Sequence, residues 1–182
     1  MSRTSSRLSH ASGNLQEWKK VATGIIGKTD HSNFKIEFYS ASIVRVHITQ
    51  QDSFNDFSYA VIASAKEQSI DIQESADSII LKTDSVAVEI SKKPFHVSFK
   101  NASGKILNED DPSFGTRWNG EQVSTYKKLQ KDERFIGLGE KTGPLDKKGR
   151  GYVNWNTDKF AYGTDDDPLY SSIPFYIGLH HQ

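Results

Sequence analysis

A glycine-rich segment, G-L-G-E-K-T-G at residues 137–143, is the first place where residue types and spacing suggest chemistry, because glycine loops can wrap phosphate groups. A phosphate-binding loop needs a glycine directly before its lysine, but here Glu140 precedes Lys141, and its carboxylate would repel phosphate. Thr142 also occupies the last glycine position of the dinucleotide fingerprint, and no helical pattern follows. These glycines are therefore interpreted as turn residues at the end of a strand, and no cofactor is expected.

The acidic residues and histidines do not form a recognisable metal motif. The acid runs at 109–111 and 165–167 each stand directly before a proline and lack the alternating acids and central glycine of a calcium loop. Both runs are interpreted as solvated turns. His180 and His181 are adjacent, and adjacent side chains on a strand point to opposite faces, so they cannot share a metal if a strand runs through them. No metal site is expected.

Catalytic groups are equally hard to single out. A retaining glycosidase needs two carboxyls about 5 to 5.5 Å apart, and many acids are present, but spacing selects no pair. No G-x-S-x-G segment indicates a serine nucleophile. The absence of cysteine excludes disulfides, thiolate metal sites and cysteine nucleophiles. Residue types alone therefore predict no catalytic residue.

The length and composition limit how many domains the chain can form and which partners it can bind. A chain of 182 residues is long enough for one domain, or one large β domain, and its 23 basic side chains balance its 23 acidic ones. With no excess positive charge, neither nucleic acid nor an anionic membrane is an expected partner. No apolar run approaches the 18 or so residues of a membrane helix, so the chain is expected to be soluble.

The amino-terminal segment is a separate question. Residues 1–14 are rich in serine, carry Arg3 and Arg7, and contain no acid. No apolar segment typical of a signal peptide follows them. The segment resembles a transit peptide loosely, but a flexible lead-in over 1–14 is favoured, with a folded domain over 15–182. The compartment stays undecided, with a slight preference for the cytoplasm.

Alternating apolar and polar residues predict an all-β, antiparallel sandwich. The first hairpin is predicted over 34–38 and 44–48, and the second series of strands over 78–83, 86–90, 95–99 and 105–108. Residues 51–75 remain unassigned, with an irregular excursion and a short helix both open. Beyond Glu109 the candidate strands are 126–131, 134–138, 151–155 and 173–179. The long loops 139–150 and 156–170 lie between them, and loops of this length on a sheet scaffold are often functional.

Three segments resemble the amino-terminal domain of glycoside hydrolase family 31, which contains α-glucosidases and α-xylosidases. They are F-x-G-L-G-E at 135–140, W-N-T-D at 155–158 and D-P-L-Y-x-S-I-P-F at 167–175. The segment I-V-R-V-H-I-T at 43–49 is a weaker match to the same domain, and the likeness extends from about residue 16 to 182. The resemblance implies a β-sandwich of the galactose mutarotase type, truncated at its carboxyl-terminal end.

The resemblance also implies where the chemistry would lie. In the family, a (β/α)8 barrel follows the sandwich and holds both catalytic aspartates, including a nucleophile in a W-x-D-M-N-E-like segment. No such segment occurs in these 182 residues. The chain is therefore expected to be inactive alone, as the non-catalytic domain of a retaining α-glycosidase whose partners are the barrel of its own parent chain and an α-linked oligosaccharide.

Substrate-binding residues also follow from the resemblance. The loop 156–170 is expected to reach over the barrel mouth, where the carboxylate of Asp158 would bind hydroxyls of the leaving-group sugar. Trp155, Phe160 and Tyr162 could offer flat faces to a sugar ring. For Trp155 a core position is favoured, whereas for Phe160 and Tyr162 both possibilities stay open. The predicted substrate-binding set is Asn156, Asp158, Phe160 and Tyr162.

A second class of function stays open, namely a stand-alone carbohydrate-binding or interaction sandwich that shares only the fold. The motif at 155–158 favours the glycosidase domain, because a free module has no barrel for that loop to complete. The apolar residues of the last strand also suggest self-association. Ile173, Phe175, Ile177 and Leu179 would form one apolar face that, if left uncovered, could pair with another chain.

Overall fold

The computed structural model describes residues 9–180, within which all regular structure is β-strand. The chain divides into two compact units, Met1–Lys128 and Leu129–Gln182. Every strand pairing is antiparallel, which confirms the predicted all-β class. No helix that could cross a membrane occurs in residues 9–180. The strands are β1 (His10–Ala11), β2 (Leu15–Val21), β3 (Gly24–Thr29), β4 (Asn33–Ser40), β5 (Ile43–Thr49), β6 (Asp71–Glu74), β7 (Ser78–Lys82), β8 (Val86–Lys92), β9 (Phe95–Asn101), β10 (Ile106–Glu109), β11 (Thr116–Asn119), β12 (Gln122–Thr125), β13 (Arg134–Gly139) and β14 (Ser172–Leu179).

The first unit is a sandwich of two sheets around one apolar core. One sheet has the order β2-β3-β4-β5 and the other the order β10-β9-β8-β7-β6. Removing a large apolar side chain from water contributes about 1.5–3 kcal/mol, so this cluster is the main source of the unit's stability. The core contains Ile25, Phe34, Ile36 and Phe38 from the first sheet and Ile79, Leu81, Val86, Val88, Ile90, Phe95 and Val97 from the second.

The predicted hairpin and the second series of strands are confirmed. In β4 the side chains of Phe34, Ile36 and Phe38 are completely buried, as expected where a strand has one face in the core. The side chain of Asn101 stabilises the turn between β9 and β10. Its amide oxygen Oδ1 accepts hydrogen bonds from the main-chain N–H groups of Ser103 and Lys105. In the unassigned region, residues 71–74 form β6 and the rest is irregular.

Several strands were not predicted. A small sheet of order β1-β11-β12 includes His10 and Ala11, so these two residues of the expected lead-in are paired with β11. Ser12 is also buried, and its N–H donates to the main-chain oxygen of Thr116 at 3.0 Å. The expected lead-in over 1–14 is therefore too long by at least these residues. Its first eight residues lie outside the described part of the chain.

The second unit contains one hairpin, β13–β14, with register pairs such as Arg134 with Leu179 and Ile136 with Ile177. These two strands confirm the predictions over 134–138 and 173–179. The loop of residues 140–171, which joins them, has no regular secondary structure. The fold of this loop therefore depends on its side-chain contacts.

Two of the predicted strands are wrong. Residues 151–155 form no strand, because the N–H of Val153 donates to the side chain of Asp167 instead of to a neighbouring strand. Residues 126–131 make one isolated bridge, between Lys127 and Asp110, and no ladder. Trp155, expected in the core, is 71% exposed.

Candidate functional site

The loop 140–171 begins at a bulge in β13 that requires glycine at two of its three positions. Gly137, Leu138 and Gly139 all have positive φ, and the register with β14 shifts between Gly137 and Gly139. A Cβ at Gly139 would lie 2.6 Å from the main-chain oxygen of Ser171, too close for any other residue. The N–H of Glu140 then donates to the same Ser171 oxygen at 2.8 Å, which closes the loop base. The predicted position at a strand end is confirmed for Gly139, the last residue of β13, whereas Gly137 lies inside the strand.

Lys141, the lysine of the glycine-rich segment, is buried inside the loop. Its side chain is 0% exposed, and Nζ lies 2.7 Å from Oδ1 of Asp167 and 2.5 Å from the main-chain oxygen of Val153. Burial acts to raise the pKa of Asp167, but hydrogen bonds from Lys141 and from the Val153 N–H outweigh it, so the pKa lies below its ordinary value. The lysine therefore joins the two halves of the loop and presents no charge to a phosphate.

Asp166 forms a second clamp in the same loop. Its Oδ1 accepts from Nζ of Lys159 at 2.6 Å and its Oδ2 accepts from the N–H of Gly163 at 2.6 Å. These two hydrogen bonds, the one from Lys159 above all, lower the pKa of Asp166. The hydroxyl of Thr142 donates to the main-chain oxygen of Asp166 at 2.7 Å. Residues 159–166 are thus tied both to themselves and to the first half of the loop.

A third anchor stabilises the first half of the loop. Nζ of Lys147 lies 2.9 Å from the main-chain oxygen of Pro144 and 3.3 Å from that of Thr142, and 5.4 Å from the centre of the Tyr152 ring. The Lys147 ammonium group therefore binds carbonyl oxygens that would otherwise need water. Asp146, the preceding residue, accepts from the N–H groups of Phe135 and Lys148, and these bonds lower its pKa.

These contacts correct the interpretation of the two acid runs as solvated turns. In the run at 165–167, the side chain of Asp165 is 76% exposed, whereas that of Asp167 is 17% exposed and paired with Lys141. In the run at 109–111, Asp110 is 3% exposed and accepts from the N–H of Val97 and from Nζ of Lys127. One acid of each run thus binds inside the protein.

Asp158 is held in place on both sides but binds nothing itself. The N–H of Thr157 donates to the main-chain oxygen of Leu169 at 2.8 Å, and the Tyr170 hydroxyl donates to that of Lys159 at 2.6 Å. Leu169 is 1% exposed and anchors the segment. Within residues 9–180, the exposed side chain of Asp158 has no hydrogen-bond or ion-pair partner. The arrangement is an unpaired carboxylate on a fixed backbone.

The other predicted substrate-binding residues lie in the same loop, and their side chains are held by contacts to different extents. Asn156 is exposed, but its Oδ1 accepts from the N–H of Ser172 at 2.8 Å, so one end of its amide holds the loop to β14. Phe160 is 93% exposed and lies next to Ala161, whose φ is 55°. Tyr162 is 45% exposed and packs edge-on against Tyr170, with ring centres 6.1 Å apart.

The sequence analysis did not identify the residues that support this loop. Lys141, Asp166, Asp167 and Tyr170 were not expected to support the loop, although all four lie within or next to the quoted motif segments. The only available signal was the presence of lysines and aspartates in loops that lack other core-forming residues.

His180 lies 3.5 Å from Oε1 of the buried Glu133, while His181, the other histidine considered, lies outside the described residues.

Comparisons with known proteins agree with this architecture. A family model described as the glycosyl hydrolase 31 N-terminal galactose mutarotase-like domain matches residues 33–182. Alpha-glucosidase 2 of Bacillus thermoamyloliquefaciens is 32% identical over 178 residues, which cover 93% of this chain and 22% of that protein. The alpha-glucosidase of Saccharolobus solfataricus is 47% identical over 85 residues, covering 47% of this chain and 12% of that protein.

Solved structures show the same relationship. The Flavobacterium johnsoniae GH31 dextranase complexed with glucose matches with a TM-score of 0.85 and 28% identity, covering 93% of this chain and 21% of that chain. This chain spans about a fifth of that structure and of the Bacillus relative, and less of the Saccharolobus one. The family model covers well over half of the chain, and the antiparallel sandwich has the expected fold. The chain belongs to the family of glycosyl hydrolase 31 N-terminal galactose mutarotase-like domains.

Proposed function

We propose that this chain is the non-catalytic N-terminal domain of a retaining α-glycosidase and that its loop 156–170 shapes the rim of the active site. The relatives in which the domain occurs carry the names of α-glucosidases, an α-xylosidase and a dextranase, all enzymes that act on α-linked sugars. The substrate class proposed for the whole protein is therefore an α-linked oligosaccharide. The catalytic carboxyls would come from a barrel outside this chain.

The observation that carries the proposal is the unpaired carboxylate of Asp158. A carboxylate accepts charge-assisted hydrogen bonds from sugar hydroxyls, each contributing about 1.5–3 kcal/mol. Such bonds are stronger when the segment is already in place, because less conformational entropy is lost on binding. The hydrogen bonds at Thr157 and Lys159 preorganise the backbone on both sides of Asp158. We assign Asp158 to the hydroxyls of the leaving-group sugar.

Exposed rings beside Asp158 support the same assignment. Trp155 is 71% and Phe160 is 93% exposed, and both lie within a few residues of the carboxylate in the sequence. A flat ring can pack against the C–H face of a sugar while the carboxylate binds its hydroxyls. Tyr162, half of whose surface is covered by Tyr170 and its neighbours, would line the same side. Asn156 completes the predicted set, because its side-chain amide nitrogen can donate a hydrogen bond to the same sugar.

The exposed apolar face of β14 fits the second expected partner, the catalytic barrel of the same protein. Phe175 is 63%, Ile173 52% and Ile177 46% exposed. Contiguous apolar surface of this kind marks an interaction site. We propose that the barrel covers this face in the whole protein. In the isolated chain, the uncovered face would promote self-association.

The test is a comparison of two substrates in the whole enzyme. Asp158→Ala should lower kcat/KM on an α-linked disaccharide by about tenfold or more, the loss of one charge-assisted hydrogen bond, but should leave an aryl α-glucoside nearly unaffected. The aryl leaving group has no hydroxyls for Asp158 to bind. The isolated chain should hydrolyse neither substrate.

Asp165→Ala is the matched control, because Asp165 is an exposed acid of the same loop that pairs with Arg150 at the surface. It should change neither rate by more than about twofold, as expected for an exposed ion pair. Equal losses on both substrates for Asp158→Ala would contradict the assignment and point to folding or docking of the domain. Hydrolysis by the isolated chain that depends on one of its own acids would overturn the non-catalytic role.

A further inference from the structure

A cavity of about 770 Å3 lies on the side of the first sheet that faces away from the core. Phe34, Ile36 and Phe38 fill the core, so the alternation of β4 directs Glu37 to the opposite face. Residues between Asp56 and Ala65, in the irregular segment after β5, line one side of the cavity, which stays open to solvent. Small-molecule sites typically measure about 300–1,000 Å3, so the cavity can take a small ligand.

Charged side chains form a neutral network along one wall of the cavity. Asp56, from the covering segment, accepts from Nη1 of Arg45 at 2.8 Å and from Nζ of Lys35 at 3.2 Å. Nζ of Lys35 also lies 2.9 Å from Oε1 of the buried Glu37. Burial acts to raise the pKa of Asp56, but the hydrogen bond and charge of Lys35, with that of Arg45, hold it below its ordinary value. Two cations and two anions therefore cancel.

This network leaves hydrogen-bonding capacity for a ligand. The contacts that Glu37 makes with Lys35 and Thr23 both go to Oε1, so Oε2 has no protein donor within the described residues. The side chain of Glu37 is 8% exposed, and Oε2 is not among the buried side-chain atoms that lack a partner, so it stays open to water and to a ligand hydroxyl. The hydroxyl of Tyr39 accepts from Arg45, which leaves its own hydrogen free to donate. The cavity wall therefore offers one strong acceptor and at least one donor.

The opposite wall is apolar and carries an exposed ring. Ile43 and Val61 line the cavity, and Phe57, which also lines it, is 71% exposed. The Phe57 ring packs edge-on against Tyr59, which is itself 94% exposed, with ring centres 4.7 Å apart. An aromatic ring in the same cavity as hydrogen-bonding groups suits a ligand with an apolar face and a polar edge.

We propose that this cavity is a second sugar-binding site, which takes one neutral hexose unit such as the end of an α-glucan. A sugar ring has both required features, because its hydroxyls donate to Glu37 and accept from Tyr39 while its C–H face packs on Phe57. The charged groups argue against charged ligands, since an anion would meet Glu37 and Asp56 and a cation would meet Arg45, while Lys35 pairs with both acids without lining the cavity. The site is independent of Asp158, which belongs to the other unit.

The test is an NMR titration of the 182-residue chain with methyl α-D-glucopyranoside, followed through backbone amide shifts. Saturable shifts are expected at Thr23, Tyr39, Arg45 and Phe57. Phe57→Ala should weaken binding at least about threefold, through loss of a packed ring. Glu37→Gln should weaken it about tenfold, through loss of a charge-assisted acceptor. Mannitol, which carries hydroxyls without a ring, should not produce saturable shifts.

Ile62→Ala is the matched control, because Ile62 is 96% exposed on the same segment but does not line the cavity. It should bind the sugar as the unchanged chain does. If Glu37→Gln disturbs folding, the amide shifts of core residues will change. In that case the binding measured for Phe57→Ala decides the question, since the Phe57 ring is mostly exposed and its removal should not disturb folding. Shifts confined to residues 155–163, no saturable shifts, or equal binding by Phe57→Ala and the unchanged chain would each overturn the inference. Asp158→Ala should leave the cavity shifts intact, so the proposed function and this site fail separately.

Discussion

Lys141 and Asp167 form a buried ion pair that joins the two halves of the loop 140–171, with Nζ 2.7 Å from Oδ1. Removing one partner of such a pair leaves a charge without compensation, which costs more than the loss of the attraction itself. The same Asp167 also accepts from the N–H of Val153. The pair therefore helps to hold residues 153–158, the segment that ends at Asp158, in place.

Lys141→Met should destabilise the second unit by about 2–4 kcal/mol, somewhat less than the 3–5 kcal/mol typical of fully buried pairs, because Asp167 keeps some contact with water. Hydrogen exchange at the Thr157 amide, which bonds to Leu169, reports this opening directly. Exchange should accelerate by about tenfold or more. Arg150→Met removes an exposed pair with Asp165 and should change exchange little. Equal effects of the two variants would contradict a special role for the buried pair.

Acid should loosen the second unit in a defined pH range. Asp146, Asp166 and Asp167 all have pKa values lowered by hydrogen bonds in the folded chain. A lowered carboxyl pKa adds stability that is fully present above the unfolded value of about 3.9 and is lost as the pH falls through the folded value. Urea unfolding of the second unit should therefore have nearly constant midpoints from neutral pH to about pH 5 and falling midpoints below about pH 4.

Asp166→Asn tests the origin of this acid sensitivity. The variant cannot ionise at this position, so its midpoint should lie below that of the unchanged chain at neutral pH and should fall less steeply in acid. The difference between the two chains should shrink as the pH drops. Parallel curves at all pH values would show that Asp166 does not contribute to the acid transition.

The strands that the sequence predicts are those with one face in the core. Val86, Val88 and Ile90 of β8 alternate with more exposed residues, and the pattern survives because burial acts on every second side chain. In β2 the least exposed positions are Leu15, Trp18 and Val21, which are three residues apart: a bulge follows Leu15, and Trp18 and Val21 lie on opposite faces of the regular part of the strand. A two-residue period could not identify that strand.

The site was only partly predictable for a different reason. The loop position of Asp158 follows from its motif, but the contact between Lys141 and Asp167 joins residues 26 apart in a segment without periodicity. No local pattern indicates which of several lysines and aspartates will pair. For Trp155, the sequence suggested a core position because the residue ends a predicted strand, whereas the absence of a strand at 151–155 left the side chain exposed.

The isolated chain should associate in a concentration-dependent manner through β14. Its apolar side chains are about half exposed, and an uncovered apolar strand pairs readily with another chain. Light scattering and sedimentation should show dimers or larger species, which Phe175→Ser should reduce. Phe160→Ser, at an even more exposed ring outside the strand, should leave association unchanged. A clean monomer at high concentration, with no binding of apolar dyes, would mean that this face needs no cover.

The most direct test of the central claim is a crystal structure of the whole enzyme with an α-linked disaccharide bound and its catalytic nucleophile replaced. The account predicts that an oxygen of the Asp158 carboxylate lies within about 3.2 Å of a hydroxyl on the leaving-group sugar, the distance of a hydrogen bond. The backbone from Thr157 to Lys159 should keep the hydrogen bonds to Leu169 and Tyr170 seen in the free chain. A sugar bound in the active site with Asp158 facing solvent and no hydroxyl within reach would contradict the account.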